Sequence, residues 1–120
     1  MFEVSLKLVG IEEVIKSFGR RAEVLVEMVD YVTKVNAEEI KKNAKNRAPR
    51  LTGALRRSII KYQIAPMVWA VGSDVPYARI RNYINKKNPQ TVGYLTNSLF
   101  EQRDKYQRDI KEAIKELKKL

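Results

Sequence analysis

The sequence predicts one domain that mixes strands with helices, and three observations carry that expectation. A short run near the start alternates in hydrophobicity; a central stretch of about 28 residues repeats its apolar positions every three to four residues; and two runs rich in β-branched and aromatic residues flank a proline turn. A chain of 120 residues has the size of a single domain with a modest core, and domain boundaries of 1–120 are expected. Hydrophobic residues make up 44% and charged residues 32%, which suits a globular chain. No apolar run nears the roughly 20 residues of a membrane span.

Phe2 to Val9 places Phe2, Val4, Leu6 and Leu8 on one face and Glu3, Ser5 and Lys7 on the other, as in a half-buried strand that Gly10 ends. Ile11 to Phe18 follows as a short helix, with Ile11, Val14, Ile15 and Phe18 on one side and Gly19 as its stop. From about Arg20 to Arg47, Ala22, Leu25, Val26, Val29, Val32, Ala37, Ile40 and Ala44 recur at helical spacing, with one gap at Thr33 to Asn36. A helix of that length is near 40 Å at 1.5 Å per residue. It exceeds what a small sheet covers, which points to an interface with neighbouring copies; an ordinary packing helix is the plainer alternative.

Residues 48 to 59, Ala-Pro-Arg-Leu-Thr-Gly-Ala-Leu-Arg-Arg-Ser-Ile, form the most informative stretch. Ala48 closes the apolar stripe, Pro49 forbids a smooth continuation of the helix, and Thr52-Gly53 supplies turn chemistry. Leu55 to Ile64 and Met67 to Ser73 then read as two strands joined by Ala65-Pro66, a hairpin in which Ile60, Tyr62 and Ile64 alternate against Ile59, Lys61 and Gln63. Pro76 at a first helical position, followed by Tyr77, Ile80 and Ile84, suggests a short helix. Asn85 to Gly93 is a surface loop. Ser98 to Glu101 fits a capping box that starts the terminal helix. Its seam is Leu99, Tyr106, Ile110, Ala113, Leu117 and Leu120, and the Glu101–Lys105 and Asp104–Arg108 pairs stand in the favourable order. That seam packs within the domain or against another chain.

The net charge of +10 is polarised. Residues 1 to 39 hold five Lys or Arg against eight Asp or Glu, whereas residues 40 to 100 hold twelve cations and one acid, Asp74. Such a zone attracts nucleic acid or an acidic partner surface, although a charge run is more commonly a solvated face. Lys41, Lys42, Lys45 and Arg47 crowd the end of the long helix, and Tyr62, Trp69, Tyr77 and Tyr83 interleave with the zone as candidate stacking partners for bases. Tyr62 and Trp69, however, occupy strand positions where burial is the commoner fate.

Enzyme chemistry finds little support. The chain has no cysteine and no histidine, which removes thiolate zinc sites, cysteine nucleophiles and the commonest general base. Ser58-Ile59-Ile60-Lys61 matches a serine-lysine pattern, yet strand alternation puts the two side chains on opposite faces and the companion motifs are absent. The doublets Glu12-Glu13 and Glu38-Glu39 point in different directions on their helices. No phosphate-binding glycine loop appears. The N-terminus shows no secretory signal pattern, so a cytosolic chain is expected.

Asn43 to Ile59 closely resembles the A-x-x-x-A-P-x-x-T-G-x-L-x-x-S-I signature of the small neck and tail-completion proteins of lambda-like long-tailed bacteriophages. The order of the remaining features is similar as well: Gly10 after a first strand, the long helix, Val71-Gly72-Ser73 before Pro76-Tyr77-Ala78, and Tyr94-Leu95 leading into a charged helix. One departure stands out. That family typically follows Tyr-Ala with Glu-x-Gly-Thr, whereas here Tyr77-Ala78 precedes Arg79 to Asn85, with Asn82 near the expected glutamate and no glycine.

The resemblance implies an α+β fold, a small antiparallel sheet packed against the long helix with a C-terminal amphipathic helix. It also implies a structural virion protein without catalytic residues, cofactors or metal: a ring-forming head-tail joining adaptor, monomeric when isolated, assembled in the host cytoplasm and residing in the neck or tail. Its implied partners are the head-completion protein, the tail terminator or tail tube, further copies of itself, and viral DNA, with no membrane. Pro49, Thr52, Gly53, Leu55 and Ser58 are expected to shape the turn and its packing. Arg50, Arg56, Arg57, Arg79, Arg81, Lys86 and Lys87 have no evident core task and are assigned to a partner- or DNA-facing surface. A basic nucleic-acid-binding module is the alternative function.

Overall fold

A computed structural model describes residues 1–50 and 53–119. The expectations for Thr52 and Leu120 lie outside the described residues. The chain runs β1 (Phe2–Leu6), α1 (Ile11–Ser17), α2 (Ala22–Arg47), α3 (Ala54–Ser58), β2 (Ile60–Ala65), β3 (Val68–Ser73), α4 (Ala78–Tyr83) and α5 (Thr96–Lys118), with 3-10 turns at Gly19–Arg21 and Pro89–Thr91. The fold is α+β, as expected.

The three strands are antiparallel in the order β1-β3-β2. Val4 pairs with Val71 and Leu6 with Trp69, and Lys61 and Gln63 meet the same two β3 residues from the other side, so these side chains share the face turned to α2. Asp30 on α2 fastens the hairpin there. Its Oδ1 accepts from Gln63 Nε2 at 2.6 Å, Met67 N at 2.9 Å and Trp69 Nε1 at 3.2 Å. The third of these contacts helps explain why Trp69 is only half-buried while still held in place. The hairpin turn is Pro66-Met67, with Met67 in the left-handed region at φ 64°, a conformation that costs a side-chain-bearing residue roughly 1–2 kcal/mol.

The outer sheet face differs from a simple alternation. Ile60 and Ile64 are exposed, at 46% and 52%. Gly72 sits on this face between strands; a Cβ there would run into Phe2 O and the Glu3 side chain. Burial, with Glu3 beside it, pushes the Tyr62 hydroxyl up to about 12.

Two expected boundaries move. Leu55 to Ser58 is helical instead of extended: Gly53, at φ 75°, opens a single turn. That turn carries Leu55 and then Ile59 into the core, at 3% and 1% exposure. Pro76 precedes α4 by two residues, and the first helical N–H, Ala78, is taken by Val75 O at 3.1 Å.

α5 packs antiparallel along α2. Arg21 Nη1 donates to Leu117 O at 2.9 Å at one end, and Arg47 bonds Ser98 and Glu101 at the other. The apolar seam of α5, with Tyr106, Ile110 and Leu117 buried, is therefore spent inside the domain. The two ends of the gap, Thr33 and Asn36, form a buried polar layer: Thr33 Oγ1 lies 2.6 Å from Tyr106 Oη, and Gln102 Nε2 donates to Asn36 Oδ1 at 2.6 Å. Glu101 and Lys105 do not pair with each other. Glu101 meets Arg47, and Lys105 meets Glu39 at 2.7 Å and Asp109 at 3.5 Å. The radius of gyration is 16.4 Å and the extents are 54 × 21 × 19 Å, against about 14 Å expected for a compact chain of this length. The paired helices, about 39 Å for α2 at 1.5 Å per residue, account for the elongation.

Candidate docking groove

The end of α2 and the exit of α4 enclose a groove. Pro49 disfavours the helical state in the residue before it, and Ala48 is extended at φ −62°, ψ 146°. Arg56 Nη2 folds back to the carbonyls of Asn46 and Ala48, at 3.4 Å each, partners that a helix C-terminus otherwise lacks. Gly53 is left-handed, and the Arg57 guanidinium lies where its side chain would be.

The opposite wall is held by a polar network. Asn82 is fully buried. Its Oδ1 accepts from Leu95 N at 2.9 Å and Thr96 N at 3.3 Å, its Nδ2 donates to Thr96 Oγ1 at 3.3 Å, and its carbonyl accepts from Gly93 N at 2.6 Å. Asn82 thus caps α5 from a distance. This displaces the expected capping box: α5 begins at Thr96, and Ser98 Oγ donates back to Tyr94 O at 2.7 Å inside the helix. Asn85 fixes the loop, accepting from Asn88 N at 3.0 Å and donating to Thr91 Oγ1 at 3.2 Å. Tyr94 Oη donates to Ala78 O at 2.7 Å, and burial raises its hydroxyl above the ordinary tyrosine range. The loop from Asn85 to Gly93 is consequently an ordered wall.

Between these walls lies a cavity of about 590 Å³, with Pro49, Leu55, Tyr77 and Ile84 as apolar lining and Arg81, Lys86 and Lys87 among its cations. The charged side-chain groups of those three residues make no hydrogen bond or ion pair among the described residues. The structure separates the predicted basic set. Arg81, Lys86 and Lys87 come together at the groove, Arg57 borders it over Gly53, and Arg50 follows Pro49 on the exposed surface. Arg79 lies in a different cleft that also contains Glu3 and Asp74. Arg56 has the internal task described above. Of the other cations in the zone, Lys41 and Lys61 both reach Glu38 Oε2 at 3.0 Å. Burial pushes the Glu38 carboxyl up, but the Lys61 and Lys41 contacts outweigh it and leave it below the ordinary range.

Ser58 Oγ donates to Leu55 O at 2.6 Å and contacts Ser73 Oγ at 2.5 Å, while Lys61 serves Glu38, so the serine-lysine pattern is not assembled. Sequence reasoning passed over Asp30 and gave no task to Asn82 or Asn85. Asn82 carried a signal, since it stands where the resembling family has an acceptor side chain; Asp30 carried none. Among the described residues, no group of three or more His, Cys, Asp or Glu side chains is placed to hold a metal, and no helix is long and apolar enough to cross a membrane.

These elements make a helical pair on a small sheet, with a proline-broken junction beside a basic groove. A family model described as "Bacteriophage HK97-gp10, putative tail-component" matches residues 12–83, and the chain belongs to that family of phage tail components. No curated protein and no solved structure matches it.

Proposed function

We propose that this chain is a structural protein of the phage neck, a single domain over residues 1–120 that assembles as a ring, completes the tail and joins it to the DNA-filled head. The observation that carries this reading is the family match across residues 12–83, which spans the long helix, the junction and the hairpin. The elongated body supports it, as do the exposed Ile60, Ile64, Ile80 and Phe100, since a closed ring needs two different complementary surfaces on each subunit. Its partners in this reading are the head-completion protein and the tail terminator or tail tube, with the unpaired arginines facing those partners or viral DNA. No catalytic role is assigned. Deleting the gene from the parent phage and imaging the lysate tests the proposal. Filled heads and unattached tails are expected, and intact virions would overturn it.

A further inference from the structure

The groove beside α4 combines features that a solvated basic face does not need. Tyr77 and Ile84 are 39% and 57% exposed, and with Pro49 and Leu55 they line a cavity whose cations, Arg81, Lys86 and Lys87, lack acidic neighbours. Asp74 is the one acid between residues 40 and 100, and it lies in the other cleft. The loop carrying Lys86 and Lys87 is held by Asn85, Asn88 and Thr91, so a ligand meets a preorganised wall and spends little on ordering it. Exposed apolar surface rimmed by charge marks a protein contact, and unopposed cations select a partner of opposite sign.

We propose that this groove docks an acidic protein segment bearing one or two aliphatic or aromatic anchors, supplied by a neighbouring virion protein. The source of the segment rests on the neck reading; its chemistry rests on the groove. Nucleic acid fits less well. Phosphates match the cations, but Pro49, Leu55 and Ile84 offer no stacking faces, and Tyr77 is the lone aromatic lining residue, whereas single-strand binders use successive aromatics. The anchor fills the apolar lining while its carboxylates meet Arg81, Lys86 and Lys87.

Selection of a random peptide library on the full-length protein, with counter-selection on the Arg81→Glu/Lys86→Glu/Lys87→Glu variant, tests this. All three side chains are exposed and unpaired, so the variant keeps the parent's melting temperature. Enriched peptides should combine Asp or Glu with apolar residues and weaken roughly tenfold or more with either the charge-reversed variant or Ile84→Ser. Peptides without acids, peptides indifferent to Ile84→Ser, or no groove-dependent peptide would overturn the proposal. Loss of binding to a short DNA duplex in the charge-reversed variant, with no such peptide selected, would assign the groove to nucleic acid. The neck reading is tested separately by complementing the gene deletion with the charge-reversed variant. Selected peptides together with normal virions would retain the groove's chemistry and remove its place in joining.

Discussion

Asn82 is fully buried, and its carboxamide bonds two backbone N–H groups and a threonine hydroxyl at the start of another element. A helix start lacks intrahelical partners for its first N–H groups, and this side chain supplies an acceptor where Leu95, the residue at the cap position, cannot. Asn82→Ala should therefore cost about 1–3 kcal/mol, read as a melting temperature several degrees lower, while Asn82→Asp keeps the acceptor and loses less. Equal losses in the two variants would refute the cap. Asp30 plays the matching part at the hairpin. Asp30→Ala leaves Met67 N and Trp69 Nε1 without their acceptor, and should cost a similar amount, about 1–3 kcal/mol. Hydrogen exchange at the Met67 amide should speed up more than exchange in the middle of α2.

At the scale of elements, the α2/α5 pair organises the molecule. Its apolar contacts end at Leu117, which is 1% exposed, and Leu117→Ala should cost about 2–5 kcal/mol in thermal unfolding. The pair also carries a pH signature. The Lys105 hydrogen bond holds the Glu39 carboxyl below the ordinary range, and the same bond to Glu39 holds the Lys105 ammonium above its own. A depressed carboxyl contributes stability that is present above its unfolded value, 4.5, and is lost as pH falls through the folded value. A raised ammonium contributes stability that is present below 10.5 and is lost as pH rises through the folded value. Glu39→Gln should shrink both the acid and the alkaline loss of melting temperature; an unchanged profile would show that water screens the pair.

These elements also show what the sequence disclosed. Helical periodicity exposed α2 almost to the residue, and the proline turn exposed the β2–β3 hairpin, because both signals are local and repeat. The capping box misled because Ser98 bonds back one turn to Tyr94 O and Glu101 meets Arg47 on α2. The gap at Thr33 to Asn36 read as a break in the stripe, although Thr33 and Asn36 are buried against Tyr106 and Gln102. A buried polar layer has no signature until the facing helix is known. In the groove, the cations were legible one by one, but Arg79 and Arg81 differ in position through the turn of α4, which composition does not reveal.

The whole molecule is long, basic and apolar in places that its own chain leaves uncovered. Internal partners occupy Lys41, Arg47, Arg56 and Lys61, whereas Arg81, Lys86 and Lys87 stand together at the groove. The family match to a phage tail component, with the elongated body and the exposed Ile60, Ile64, Ile80 and Phe100, is the basis for the proposal of a joining ring. Raising salt should weaken partner binding through the groove's cations, which the salt dependence of the dissociation constant would show. The most direct test is electron microscopy of the purified protein mixed with tail tubes lacking their head-proximal end. The account predicts a ring of subunits seated on the tube end. Bare tube ends at saturating protein, with no ring in any field, would contradict it.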